Sequence, residues 1–191
     1  MGTDKALLSM GSENLLQRAL RNVSAVCSTP TIIGDPVRYG GFGTAIADRV
    51  PGCGPLGGIH AALSVTGSDR NLILSVDMPG MATEFLRWLV DESARGDELA
   101  TVPQVAGRNQ PLCAVYRRAM LPVIEESIAA GEYKVDRTFA KVSTRYLSKS
   151  EVSAAGFSAE IFANVNTPEE FELLKQNLTG AGLANAGEPR Q

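Results

Sequence analysis

Asn71-Leu72-Ile73-Leu74-Ser75-Val76-Asp77-Met78-Pro79 is the stretch on which the reading of this chain turns. Leu72, Ile73, Leu74 and Val76 form a short apolar run rich in branched side chains, closed by a carboxylate and then a proline. Such a run predicts a strand buried on both faces of a parallel sheet. Proline offers no N–H to a ladder, so the strand ends at or before Pro79. Asp77 then stands at the strand's carboxyl end, the rim where open α/β sheets bind ligands. A carboxylate there suits Mg²⁺, which takes a few carboxylate oxygens together with substrate phosphates. It equally suits a cap for the helix expected near Ala82, and the fragment alone leaves both readings open.

Outward from this strand, apolar runs alternate with helical patterns, as in a parallel sheet with crossover helices. Leu15, Leu16, Ala19, Leu20 and Val23 recur at helical spacing, and Thr31-Ile32-Ile33 reads as a strand ending in a Gly34-Asp35-Pro36 turn. Residues 44–48 read as a short strand ending in Asp48, and a Gly/Pro loop leads to a helix over about 56–63. Phe85, Leu86, Leu89 and Val90 mark the next helix, and Met120, Val123, Ile124 and Ile128 another. Segments 99–105 and 112–116 read as strands, and 138–142 as a short helix. Phe162-Ala-Asn-Val165 is expected to be a last strand. Thr167 is expected to cap a helix running from Pro168 to about Leu178, with Pro at its first position and acidic residues behind. The small, polar residues 179–191 read as a disordered tail, so the domain is expected to span 1–178.

The 191 residues fit one domain, and 44% hydrophobic content excludes a disordered chain. A net charge of −3 without a basic cluster argues against a general nucleic-acid binder. It leaves room for a small phosphorylated ligand, which needs only a local positive site. No apolar run reaches membrane-spanning length. Three widely spaced cysteines, Cys27, Cys53 and Cys113, suit packing in a reduced cytoplasm. A single histidine, His60, argues against a His-rich metal site or a Ser-His-Asp triad and reads best as structural.

Gly54-Pro-Leu-Gly-Gly-Ile-His-Ala-Ala-Leu63 places glycines at a helix start, where N–H groups can approach an anion without Cβ obstruction. A tight turn with close helix packing explains the same residues. Lys5, just after a glycine and before an apolar pair, can meet phosphates as a point charge or simply be solvated. Asp48 stands close enough in sequence to the Gly/Pro loop to join Asp77 at one rim, although a salt bridge to Arg49 or Arg70 is the simpler reading. Asn109-Gln110-Pro-Leu-Cys-Ala-Val-Tyr116 and Asn164-Val-Asn166-Thr-Pro-Glu-Glu170 supply amides able to bond a heterocycle edge, or turns and caps.

Taken in order, DKALL, GPLGGI, DMP, QPLCAVY and NVNTPEE resemble the molybdenum cofactor guanylyltransferases, the MobA-type members of the nucleotidyltransferase superfamily. The resemblance covers the chain up to about Leu178. It implies a Rossmann-like three-layer α/β/α sandwich with a mostly parallel mixed sheet. It also implies transfer of GMP from GTP to Mo-molybdopterin with loss of pyrophosphate. By the same resemblance, Lys5, Gly34, Asp48 and Asp77 fall at the nucleotide, with Lys5 and Asp77 catalytic and Asp77 on Mg²⁺. Gly34 stands where some members carry asparagine, so only its backbone can serve. Gln110, Tyr116, Asn164 and Asn166 fall on the molybdopterin side. Molybdoenzymes or their chaperones are the implied recipients, with no nucleic-acid or membrane partner.

The family opens with a strand and a glycine loop, Leu-Ala-Gly-Gly-x-x-x-Arg-Met-Gly, of which Met1-Gly2 alone is present. The first strand is therefore expected to be missing, with a natural start upstream, and the chain as it stands is expected to bind GTP poorly and to lose stability. A cytidylyltransferase or sugar-phosphate nucleotidyltransferase of the same superfamily is the nearest rival. A non-catalytic molybdopterin-binding module is the reading from a different class.

Overall fold

A computed structural model describes residues 4–165. After a 3₁₀ turn at Lys5–Leu7 come a small hairpin, β1 (Ser9–Met10) and β2 (Glu13–Asn14), and α1 (Leu15–Ser24). Asn14 caps α1 in a reciprocal box with Gln17. β3 (Ile32–Ile33) and β4 (Ala45–Ile46) form a parallel pair around α2 (Pro36–Tyr39). α3 (Pro55–Val65) leads to β5 (Arg70–Leu74) and α4 (Thr83–Ser93). There follow β6 (Ala100–Val105), β7 (Arg108–Asn109) and β8 (Cys113–Arg117), then α5 (Leu121–Ala129), α6 (Val135–Phe139), β9 (Thr144–Leu147) and α7 (Lys149–Ala154).

The five-stranded sheet runs β5-β8-β6-β7, with β9 also on β6. It is mixed, as expected. Within it, β5–β8, β8–β6 and β6–β7 are antiparallel and β6–β9 is parallel, so antiparallel pairs prevail among the described residues. β5 departs from its expectation in two ways. It pairs antiparallel with β8, and all five of its residues are half-exposed rather than buried. It also stops at Leu74, three residues before Asp77.

Alternation along the strands builds three layers, since successive side chains point to opposite faces. Ala114 and Tyr116 of β8 join Leu56, Ile59 and Leu63 of α3 and Ile124 of α5 on one face. Cys113 and Val115 join Phe85, Leu86 and Leu89 of α4 and Val152 of α7 on the other. The wholly buried Phe85 meets Phe157 and Phe162 edge-on, with ring centroids 5.2 and 5.0 Å apart. This geometry favours the ring quadrupoles. Phe162 ends the turn that leads into Ala163 and Asn164, so this aromatic cluster sets where those residues lie.

The segment expected as a last strand, 162–165, forms none: Phe162 ends a 3₁₀ turn, Ala159–Phe162, and 163–165 are irregular; Ser158 opens the turn, its hydroxyl accepting the Glu160 N–H. That local bond competes with extension into a sheet. α7 and β9 went unread in the sequence. Asn166, Thr167 and the helix and tail expected beyond them lie outside the described residues. No helix among the described residues is long and apolar enough to cross a membrane.

Candidate active site

The segment after β5 is held from several sides. The Ser75 N–H donates to the Leu112 carbonyl at 2.7 Å, extending the β5–β8 pairing by one residue. The Arg18 Nε–H donates to the Pro79 carbonyl at 2.7 Å, and the Asn22 side-chain amide to the Met81 carbonyl at 2.8 Å. The Val165 N–H donates to the Asp77 carbonyl at 3.0 Å. Asp77 is thus fixed by its backbone, and its side chain is left for other work. Its Oδ1 is buried with no hydrogen-bond partner. The cap reading fails: α4 has Ala82 at its N-cap and no side-chain cap bond.

A cleft of about 710 Å³ opens beside Asp77, and Arg108, Asn109, Gln110, Asn164 and Ala106 contribute to its lining. One wall is the β6–β7 hairpin, whose two-residue turn puts both Ala106 (φ 51°) and Gly107 (φ 72°) in the left-handed region. That is the φ pattern of the tight turn matching strand twist, and it suits glycine or asparagine better than alanine. Asn109 is largely engaged: its amide donates to Asp136 Oδ1 at 2.7 Å, and its carbonyl oxygen accepts from the Gln104 amide at 2.8 Å. Arg108 is the one cationic side chain in this lining.

The structure therefore brings Asp77, Gln110 and Asn164 together. Tyr116 is corrected: it is wholly buried, stacks on Phe139, and its hydroxyl donates to the Pro111 carbonyl at 2.7 Å. Burial, with Asp136 nearby, pushes its phenol well above the ordinary range. Its role is to brace the turn before Leu112, because both faces of β8 are covered and no side of that strand reaches the cleft.

Lys5, Gly34 and Asp48 do not line this cleft and belong to the β3–β4 side. Lys5 opens its 3₁₀ turn with Asp4 as the cap. Asp4 accepts the Tyr39 hydroxyl at 2.7 Å and Arg38 at 3.1 Å. The Tyr39 bond leads in holding the Asp4 carboxyl below its usual range, while burial foremost raises the Tyr39 phenol. Gly34 sits under the same ring: a Cβ there would lie 2.9 Å from two Tyr39 ring carbons. The Gly34 N–H is already bonded to the Ile46 carbonyl at 2.8 Å, so its carbonyl is the backbone group left for a ligand.

Asp48 lies against the start of α3. A Cβ on Gly57 would come within 2.6 Å of Asp48 Oδ2, so the absence of a side chain at Gly57 is what lets the carboxylate reach the helix start. Asp48 Oδ1 accepts the Val50 N–H at 2.9 Å. Arg70, considered above as a salt-bridge partner, instead bonds the Ser93 and Gly96 carbonyls and lies 3.7 Å from Asp69. His60 is buried in α3 with Nε2 3.7 Å from Glu125 and Nδ1 buried without a hydrogen-bond partner. Cys53 and Cys113 are buried, Cys27 is half-buried, and all three are free thiols.

Among the described residues, no group of three or more His, Cys, Asp or Glu converges to hold a metal. Asp77, with its unpartnered buried oxygen, fits a hard cation that draws most ligands from water and substrate phosphates.

The fold is a three-layer mixed α/β sandwich with Asp77 beyond the carboxyl end of β5, and its family places it among the nucleotidyltransferases. Solved structures that share the fold include two that are nucleotide-chemistry proteins by name. Molybdopterin-guanine dinucleotide biosynthesis protein A from Archaeoglobus fulgidus superposes with a TM-score of 0.80 at 22% identity, covering 94% of this chain and 92% of that one. The 2-C-methyl-D-erythritol 4-phosphate cytidylyltransferase from Thermus thermophilus superposes with a TM-score of 0.70 at 13% identity, over 92% and 94%. Within this class the chain belongs to the MobA-like NTP transferase domain family, whose model matches residues 1–146. A probable molybdenum cofactor guanylyltransferase from Pelotomaculum thermopropionicum is 34% identical over 173 residues, 89% of this chain and 83% of the relative. Another, from Carboxydothermus hydrogenoformans, is 28% identical over 175 residues, 91% and 88%.

Proposed function

We propose that this chain is a molybdenum cofactor guanylyltransferase: it transfers GMP from GTP to the terminal phosphate of Mo-molybdopterin and releases pyrophosphate. The carrying observation is the buried, unpartnered Asp77 Oδ1 beside a cleft lined by Gln110, Asn164 and Arg108. An oxygen of the acceptor phosphate attacks the α-phosphorus of GTP, and the bond from that phosphorus to the bridging oxygen of the β-phosphate breaks. The nucleophile is already an anion, so the protein need not remove a proton. Its work is positioning and charge neutralisation at phosphorus.

Asp77 would hold Mg²⁺, which when bound draws negative charge off the nucleotide phosphates. Lys5 steadies the triphosphate and the departing pyrophosphate. Asp48 and the Gly34 carbonyl meet the nucleotide from the β3–β4 side. Gln110 and Asn164 receive the molybdopterin side, joined by Asn166. The product passes to molybdoenzymes or their chaperones. Three free cysteines support a reducing, cytoplasmic setting.

The test, made on the native protein isolated from its source cells, is pyrophosphate release with Mg²⁺ and molybdopterin, comparing GTP with CTP, with the dinucleotide product identified by mass. Guanine dinucleotide with GTP is the expected result. Turnover with CTP alone points to the cytidylyl rival, and molybdopterin binding without turnover to a non-catalytic module.

A further inference from the structure

Lys5 and Gly34 stand far apart in the sequence, yet one side chain joins the structure around both. The Tyr39 ring lies over Gly34, where a Cβ would come 2.9 Å from ring carbons Cδ2 and Cε2. Its hydroxyl donates to Asp4 Oδ2 at 2.7 Å, and the Arg38 guanidinium donates to the same oxygen at 3.1 Å. Asp4 Oδ1 accepts the Ala6 N–H at 3.1 Å and so caps the 3₁₀ turn that Lys5 opens. One carboxylate oxygen thus serves the turn, and the other serves the end of α2. Bonds to an ionised oxygen are short and about twice as strong as neutral ones. Asp4 stays ionised, since the Tyr39 bond leads in holding its carboxyl below the usual range.

Lys5 therefore sits between two anchored neighbours. Ala6, on its far side, is buried and packs with Leu16 and Ile32. The Leu7 N–H closes the turn on the Asp4 carbonyl at 3.1 Å. Tyr39 is itself held firmly: its N–H donates to the Asp35 carbonyl at 2.9 Å, and Asp35 caps α2 by accepting the Val37 N–H at 2.9 Å. A lysine carries its charge on a flexible stem, so the part the fold can set in advance is its backbone. A backbone that must be ordered during binding subtracts from affinity, and one already in place does not. A side chain at position 34 would push the ring aside and draw the hydroxyl off Asp4. Glycine there belongs to the same device.

We infer that Tyr39 is a positioning residue for the nucleotide, bracing the Lys5 backbone through Asp4 and tying it to the Gly34 end of the site. The inference rests on the proposed placing of Lys5 at the triphosphate.

The test is calorimetric titration with GTP and with inorganic triphosphate, each with Mg²⁺. The proteins are the native protein from its source cells and three variants produced in the same cells: Tyr39→Phe, Lys5→Ala and the two combined. Phenylalanine keeps the ring over Gly34 and removes the bond to Asp4. Tyr39→Phe is expected to weaken both ligands by the same factor, about tenfold, the scale of one bond to a charged group. With Lys5→Ala already present, it is expected to change nothing further, because a group that acts through Lys5 then has nothing to position. An equal loss with and without Lys5 overturns the inference, since Tyr39 would then act on the fold at large. A loss with GTP that inorganic triphosphate does not share overturns it too. So does parent-like binding by Tyr39→Phe where Lys5→Ala has lost affinity, which leaves the reading of Lys5 standing. If Lys5→Ala binds both ligands as tightly as the parent, the reading of Lys5 falls and the inference with it.

Discussion

Asp77→Asn is expected to make this protein more stable and less active at once. A buried acceptor left without a partner costs about 1–3 kcal/mol, and Asp77 Oδ1 is such an atom, on a group that also carries charge. The amide keeps the shape and removes the charge, so about 1 kcal/mol of that cost returns to the fold. For a chain of this size that is about 2–4 °C in melting temperature. Over the same change, pyrophosphate release falls by on the order of 100- to 1000-fold, the scale seen when one preorganised electrostatic group is lost. Two assays decide it: melting without ligand, and turnover with GTP, Mg²⁺ and molybdopterin. A third reading is melting in excess Mg²⁺ and GTP, which raises the stability of the parent through linkage and leaves the variant nearly unmoved. A variant that melts lower than the parent and keeps its turnover would refute the reasoning, because Asp77 would then be structural.

Gly57→Ala forces Asp48 aside, since the new Cβ would sit 2.6 Å from its Oδ2. Helix propensity gains up to about 1 kcal/mol and offsets the clash, so stability stays near the parent while GTP affinity, read by calorimetry, drops. Arg108→Ala removes the cation from the cleft lining; it should raise KM for molybdopterin several-fold and leave KM for GTP unchanged. Ala106→Asn supplies the residue preferred at a left-handed turn position and should stabilise by about 0.5–1 kcal/mol in chemical denaturation. The Tyr39 hydroxyl, with Arg38, holds the folded Asp4 carboxyl below its unfolded value near 3.8. The stability this supplies is full above that value and is lost as pH falls through the lower folded one. Asp4→Asn should therefore shrink the stability loss between about pH 5 and pH 2.5, measured by urea midpoints.

The helices were legible where one face is apolar at helical spacing, as in α1 and α4, and α3 was announced by Pro55 after Gly54. β5 was legible as a strand, but its direction was not: an apolar run does not say which edge is paired, and β8 lies about forty residues away in the chain. α7 had its own signal, Ser148 followed by Glu151, a capping box that the structure forms in full. The misplacement of Tyr116 has a simple cause. Cys113, Ala114, Val115 and Tyr116 are all buried, so β8 has no polar face, and a tyrosine amid such a run belongs to the interior. Arg108 escaped notice because Ala106-Gly107 lacks the Asn-Gly or Asp-Gly signature of a tight hairpin. Asp77, Gln110 and Asn164 were found by motif, yet their meeting depends on the Phe85–Phe162 contact, a relation between distant segments that no local pattern carries.

The bond from the Val165 N–H to the Asp77 carbonyl fastens the far wall of the cleft to the very peptide that bears the carboxylate. Asn164 and Asp77 are thus fastened together like the fixed jaw of a caliper, and the Arg108 hairpin, itself tied to Asp136 through Asn109, closes the opening from the other side. If the cleft receives the acceptor as proposed, substitutions in the Ala106–Gly107 turn would change its width from one flank while the Asp77–Asn164 spacing stayed as it is.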